Sequence, residues 1–323
     1  MSGRAAGTVH VVGAGIAGLS AAVMLAESGI RTVLYEAAGQ AGGRCRSYDD
    51  AVLGCRIDNG THVLVGANQA AFRFLGRIGA LDRLAALGAD GVPFIDLGTA
   101  ERWRARIGGG AFPWWVALRS RRIPGTGAHE YFRLYRLFGA PADATVAGCL
   151  GNGPLMDRLW RPLTEAALNT APHEASARLL VPVVRGLLLG GPDSARIHVA
   201  AAGLGDTFVA PALARLARAG TVPRFGARLR AIERDEGRVT SLGFDGAEVP
   251  CGPSDAVILA VPGHVAATLV AGLGVPRGFR PIVNVHFRLD AEPPGPEPLV
   301  GVIGGAAHWF HRRGPILSAT ISA

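Results

Sequence analysis

The sequence predicts an α/β chain in which a Rossmann-like dinucleotide-binding domain is interrupted by a mainly helical and mixed-sheet insert. Three observations carry this expectation. A G-x-G-x-x-G near the N-terminus sits between an apolar strand and an apolar helix. A second apolar strand ends on an acid, Glu36, 18 residues beyond the third glycine. The 323 residues also exceed the roughly 250–300 at which a single core stops growing, so two domains are expected.

The elements follow in order. Val9, Val11 and Val12 make the first strand. Gly13 lets the chain reverse sharply, Gly15 lets backbone approach a pyrophosphate, and Gly18 lets helix and strand pack closely. Ile16 and Ala17 open the helix between the last two glycines, with its N-terminal amides facing the anion. Leu19, Ala22, Val23 and Ala26 recur at helical spacing, Gly29 closes the helix, and Thr32 to Tyr35 form a buried second strand. Glu36, followed by Ala37, stands where a carboxylate accepts ribose hydroxyls. A glycine turn kept only for packing would not need that acid.

Composition removes several classes. A hydrophobic content of 49% excludes a disordered chain, and 46 glycines without a three-residue period exclude collagen. Cys45, Cys55, Cys149 and Cys251 lie far apart, with no C-x-x-C and no His pair at ligand spacing. No metal site or disulfide scaffold is expected, and a reducing cytoplasmic compartment is the default. The net charge of +8 raises nucleic-acid binding, yet every one of the 33 basic residues is arginine and no basic run reaches five. No nucleic-acid partner is expected. The absence of lysine also removes Schiff-base chemistry. An arginine-rich surface suits anionic lipid headgroups, worth roughly 1 kcal/mol per surface arginine, so a peripheral position on the inner face of the membrane is expected. Ala5 to Ala26 and Ala256 to Pro276 are long enough to span a bilayer. The first contains the glycine turn and the second breaks at Pro262-Gly263, so both read as buried α/β elements.

Further along, Trp103, Phe112, Trp114, Trp115, Phe132 and Phe138 concentrate in the insert. Glu130 to Phe138, Pro154 to Leu168 and Leu179 to Leu189 read as helices. The run W-W-V-A-L-R-S-R-R reads either as an interfacial amphipath or as core aromatics beside a solvated turn, the second being favoured. After Gly205 an amphipathic helix returns to the first domain. Arg224 to Glu233 and Arg238 to Val249 read as a hairpin, Asp255 to Val261 as a central strand, and Pro293 to Pro298 as a surface loop. The expected bounds are 1–80 and 203–272 for the dinucleotide domain, 81–202 and 273–323 for the other.

The segment after the acid selects the dinucleotide. Gly42-Gly43-Arg44, with Arg46, resembles the second fingerprint of the FAD-dependent amine oxidase and phytoene desaturase superfamily, whose glycines approach FAD and whose arginine lies along its phosphates or ring. The resemblance therefore implies a Rossmann-like FAD-binding domain of the glutathione-reductase and amine-oxidase type. It also implies that I-D-N-G-T-H-V-L-V-G, Ile57 to Gly66, passes beneath the flavin ring, bringing Gly60, Thr61 and His62 to the cofactor. The strand around Leu229 would meet the adenine through its backbone. His62 also reads as a satisfied core histidine.

L-W-R-P-L-T-E-A-A-L-N-T at Leu159 to Thr170, P-I-V-N-V-H-F-R-L at Pro281 to Leu289 and A-H-W-F-H-R-R-G at Ala307 to Gly314 are similar to the hydroxysqualene dehydroxylase family. His311 stands where that family is expected to carry an acid. A terminal segment with an A-G-D-like motif is expected in relatives and is absent here, where the chain stops at L-S-A-T-I-S-A, so weaker FAD affinity is expected. The implied activity is removal of the hydroxyl of a long-chain isoprenoid, hydroxysqualene, for hopanoid synthesis, with His62 and Asp58 as candidate proton donors. Without a second G-x-G-x-x-G for a nicotinamide, electrons would come from a separate donor or reductase. The alternatives are a carotenoid or phytoene-type desaturase and an inactive FAD-fold remnant.

Overall fold

The computed structural model describes residues 7–88, 91–106, 114–191, 193–291 and 297–322, and divides the chain into two units. Phe112, the Trp114 side chain and Pro293–Pro296 of the expected loop lie outside the described residues.

The first unit comprises Met1–Asn59, Phe72–Arg83 and Ala202–Phe279. At its centre β1 (Val9–Val12) runs parallel to β2 (Thr32–Tyr35) on one side and to the strand Ala256–Leu259 on the other. Val12 pairs with Tyr35 and with Leu259, which brings the ends of all three strands into line. Parallel neighbours need a crossover, and α1 (Ile16–Glu27) supplies it, packing on both strands and on the helix Ala210–Arg218. The strand expected to be central is therefore a flank. The crossover carries β2 to one side of β1 and leaves the other side for the late strand.

The expected hairpin is a three-stranded antiparallel meander of Leu229–Asp235, Arg238–Phe244 and Ala247–Pro250. Asp245-Gly246 folds the second arm back, with Gly246 at φ +76°. Its apolar face packs on the parallel sheet: Tyr35 stacks on Phe244 with centroids 4.5 Å apart, among Val12, Leu229, Leu242 and Leu269.

The second unit comprises Gly60–Ala71, Leu84–Ala201 and Arg280–Ala323. The sequence bounds place 60–71 with the first unit. Strand pairing places it here, because Val63–Val65 adds to Ile197–Ala200, whose other edge pairs with Leu84–Ala86. A six-stranded mixed sheet runs Val283–Arg288, Ile316–Ile321, Trp309–Arg313, Leu299–Ile303, Val92–Asp96, Arg102–Ala105. Directly paired residues share a face, so Phe94, Trp103, Trp309 and Gly301 lie together. Gly301 is glycine for space, since a Cβ there would come 2.2 Å from the Phe94 ring. That face belongs to the same core as the helices Leu134–Phe138, Val146–Leu150 and Ala177–Leu189.

The helix expected over Pro154 to Leu168 contains a π turn, Met156–Trp160, before Arg161–Leu168. Trp115 is buried and meets Tyr131 edge-on at 5.6 Å, as a core aromatic does. Among the described residues no helix is long and apolar enough to cross a membrane.

Candidate functional site

Three glycines of the first turn are there for three separable reasons. Gly13 has φ +102°, and a Cβ on it would lie 2.5 Å from the Ala260 carbonyl. A Cβ on Gly18 would lie 1.7 Å from the Gly13 carbonyl oxygen. Both positions are closed by the fold itself. Gly15 has an ordinary φ of −70°, and a Cβ there would meet nothing within 4 Å. Packing does not require glycine at this position; an open cradle for a ligand does. The cradle lies at the start of α1, where no side chain caps the helix and no acid occupies the first turn. The leading amides of Ile16, Ala17 and Gly18 are thus a ready anion site.

The fold brings the second glycine motif to the first. Gly42 N–H donates to the Ala14 carbonyl at 2.8 Å, and Gly42 bridges Gly15 in a parallel sense. Gly42 and Gly43 adopt φ +109° and +54°, two successive left-handed positions that favour glycine. Gly43 is close-packed too, a Cβ there falling 3.2 Å from Gly15 Cα. The Arg44 side chain is exposed and makes no ion pair among the described residues, which leaves its guanidinium for a phosphate.

Glu36 holds the backbone in a way that its spacing did not reveal. Its Oε2 accepts from Ala14 N–H at 2.8 Å, and its Oε1 accepts from Ala38 N–H at 2.9 Å. The carboxylate ties the glycine turn to the segment after β2, and each oxygen keeps lone-pair capacity for a ribose hydroxyl. Ala37 is exposed within this tie. Leu229 buries its side chain in the core, so only its backbone is available to a ligand.

The two candidate proton donors differ in standing. Asp58 Oδ1 accepts from Ser47 Oγ at 2.5 Å and from Leu204 N–H at 2.9 Å, and Ser47 Oγ accepts from Gly205 N–H at 2.8 Å. This network fastens the hairpin Ser47–Asp50/Cys55–Asp58 to the turn leading into Ala210–Arg218. His62 is exposed, not a core histidine, and lies in the second unit with Gly60 and Thr61.

Sequence reasoning missed Asn284, although it stands in the quoted P-I-V-N-V-H-F-R-L. Asn284 Oδ1 accepts from Thr61 N–H at 3.4 Å and from Thr320 Oγ1 at 2.8 Å. Glu165 was missed as well. It is buried, with Oε2 4.0 Å from His308 Nδ1; burial raises the carboxyl pKa and lowers that of the imidazole. Only Glu165's place in the helix Arg161–Leu168, next to the buried Thr164, could have signalled it. An apolar seam in the second unit, lined by Trp115, Tyr131, Leu159, Trp160 and Val184, has a free volume of only about 40 Å³. Ligand pockets run to ~300–1,000 Å³, so this seam is core.

An open phosphate cradle, a paired G-G-R turn and an acid at the strand end together fit FAD. The family model for flavin containing amine oxidoreductases matches residues 16–315. The chain is 42% identical to a hydroxysqualene dehydroxylase of Sinorhizobium fredii over 97% of its own length and 75% of the relative's. It is 45% identical to one of Rhodopseudomonas palustris, over 98% and 76%. A third, from Zymomonas mobilis, is 36% identical over 97% and 76%. Zeta-carotene desaturases, such as that of Zea mays at 38% identity, match only 24% of the chain. In fold, the chain resembles a putative protoporphyrinogen oxidase from Exiguobacterium, with TM-score 0.63 and 18% identity over 99% of this chain and 78% of that one. A fatty acid isomerase from P. acnes gives TM-score 0.67 and 15% identity over 98% and 77%.

The fold and site define an FAD-dependent oxidoreductase. The chain belongs to the flavin containing amine oxidoreductase family and, within it, to the hydroxysqualene dehydroxylase family.

Proposed function

We propose that this protein replaces the hydroxyl of hydroxysqualene with hydrogen, giving squalene for hopanoid synthesis. The observation that supports this is identity to three hydroxysqualene dehydroxylases over 97–98% of the chain, far beyond the glycine turn that all dinucleotide folds share. Likeness to desaturases covers under a quarter of it, which makes desaturation the lesser reading.

FAD, once reduced by a separate two-electron donor, supplies hydride. The remaining work falls to the chain. Gly13, Gly15, Ile16, Ala17 and Gly18 take the pyrophosphate, Glu36 and Ala37 the ribose, Gly43 and Arg44 the phosphates or ring, and backbone at Leu229 the adenine. Gly60, Thr61 and His62 border the flavin ring. As the allylic C–O bond breaks, a proton must reach the departing oxygen so that water leaves. We assign this proton to His62, because the Asp58 carboxylate already serves Ser47 and Leu204. An isoprenoid substrate and product partition into bilayers, so the protein works from the inner membrane surface, held in part by arginine–phosphate attraction.

Purified protein, FAD, a chemical reductant and hydroxysqualene test the reading. Squalene is the expected product. A new double bond in a polyene would point to desaturation, and failure to take up flavin to an inactive remnant.

A further inference from the structure

The strand Val283–Arg288 is the last strand on one edge of the six-stranded sheet, and Asn284 faces the same way as its partner Thr320. The orientation of the Asn284 amide is settled by chemistry. Thr61 N–H can only donate, so the atom facing it is the oxygen, which also accepts from Thr320. Nδ2 is therefore turned toward Gly60, where it would lie 3.1 Å from a Cβ. His62 Nε2 lies 4.0 Å from the same point, so two nitrogens converge on one side of this glycine. Gly60 does not adopt a left-handed φ. Its lack of a side chain keeps space open in front of the amide and is not a backbone necessity. Among the described residues, Nδ2 donates to nothing.

We propose that Asn284 is a flavin-binding residue: Thr61 and Thr320 hold its Oδ1, and its Nδ2 donates a hydrogen bond to the acceptor edge of the flavin ring, through the gap that Gly60 leaves. The inference rests on the reading that Gly60 to His62 border the ring.

Asn284→Asp separates anchoring from donation. Its carboxylate accepts from Thr61 and Thr320 as the amide oxygen does, but it has no N–H and places a negative charge beside the ring. Titration of the apoprotein with FAD should show affinity about tenfold weaker. The bound flavin should be reduced at a lower potential, because the added charge disfavours the electron-richer form. Gly60→Ala, whose methyl must displace Nδ2, should weaken FAD similarly, and Thr320→Val should do so to a smaller degree. Wild-type affinity and potential in Asn284→Asp, or wild-type affinity in Gly60→Ala if the first variant does not fold, would overturn the proposal. A wild-type protein that takes up no FAD would overturn the cofactor site itself along with it.

Discussion

At residue scale, Gly15 and Gly18 carry opposite expectations although they belong to one motif. Gly15→Val adds its methyls to open space, so the fold should survive while the pyrophosphate loses its place. The variant should purify colourless with an unchanged apoprotein melting curve, and a yellow protein of full FAD stoichiometry would show the cradle to be elsewhere. Gly18→Val meets the Gly13 carbonyl oxygen and should not yield folded protein at all. Glu36→Ala removes an acceptor from two backbone amides as well as from the ribose. It should cost about 1–3 kcal/mol in FAD binding, ten- to a hundredfold in Kd, and also lower the melting temperature of the apoprotein. Loss of affinity with unchanged apoprotein stability would mean that the carboxylate does not hold the turn.

At element scale, the junction of the Ser47–Asp58 hairpin with the turn before Ala210–Arg218 depends on Asp58. Asp58→Ala strands the buried Ser47 hydroxyl and the Leu204 amide, and should destabilise the protein by about 1–3 kcal/mol. For a unit of this size that is a fall of roughly 2–12 °C in Tm, measurable by calorimetry without flavin. An unchanged Tm with turnover abolished would return Asp58 to the chemistry. The segment 114–122 divides in the same way. Trp115 is core, and Arg122 Nε donates to the Val116 carbonyl at 2.5 Å, so neither is free for lipid. Arg119 and Arg121 are exposed. If this segment meets anionic bilayers, Arg119→Glu with Arg121→Glu should reduce co-sedimentation with anionic vesicles at low salt, where screening is weak. Undiminished binding would place the docking face on another surface.

At the scale of the whole molecule, three histidines contribute a pH dependence to stability. Burial lowers the pKa of His10, His198 and His308, and His10 sits against the Tyr35 hydroxyl at 3.0 Å. The unfolded chain then binds protons that the folded chain refuses. Stability is complete above the ordinary imidazole value near 6.5 and is lost as pH falls from there through the lowered folded values. Thermal unfolding from pH 7.5 to 5 should show falling Tm. His10→Asn should flatten the slope but not abolish it, since His198 and His308 remain. A slope unaffected by the substitution would mean that His10 titrates alike in both states.

The N-terminal βαβ unit and its cofactor turn were legible in the sequence because every determinant is local. Strand periodicity, glycine spacing and the acid at the strand end act within a few turns of chain, and the structure realises Val9–Val12, Ile16–Glu27 and Thr32–Tyr35 as read. The repeated family motifs likewise marked Pro281 to Leu289 as significant. Which atoms of that motif matter was not legible. Asn284 meets Thr61 across 223 residues and Leu204 meets Asp58 across 146, contacts created by strand order and chain return, with no trace in local spacing. The fold also supplied roles that local spacing does not carry: Asp58 fastens the hairpin to the Leu204 turn, Asp255–Val261 is a flank and not a central strand, and Trp115 is core, the favoured of its two readings. Sequence alone pointed to the dinucleotide chemistry, because the glycine turn and the acid that mark it lie in one contiguous βαβ unit. Only the tertiary structure decided which polar groups converge on Gly60, because hydrogen-bond geometry acts over ångströms between residues that the chain holds far apart.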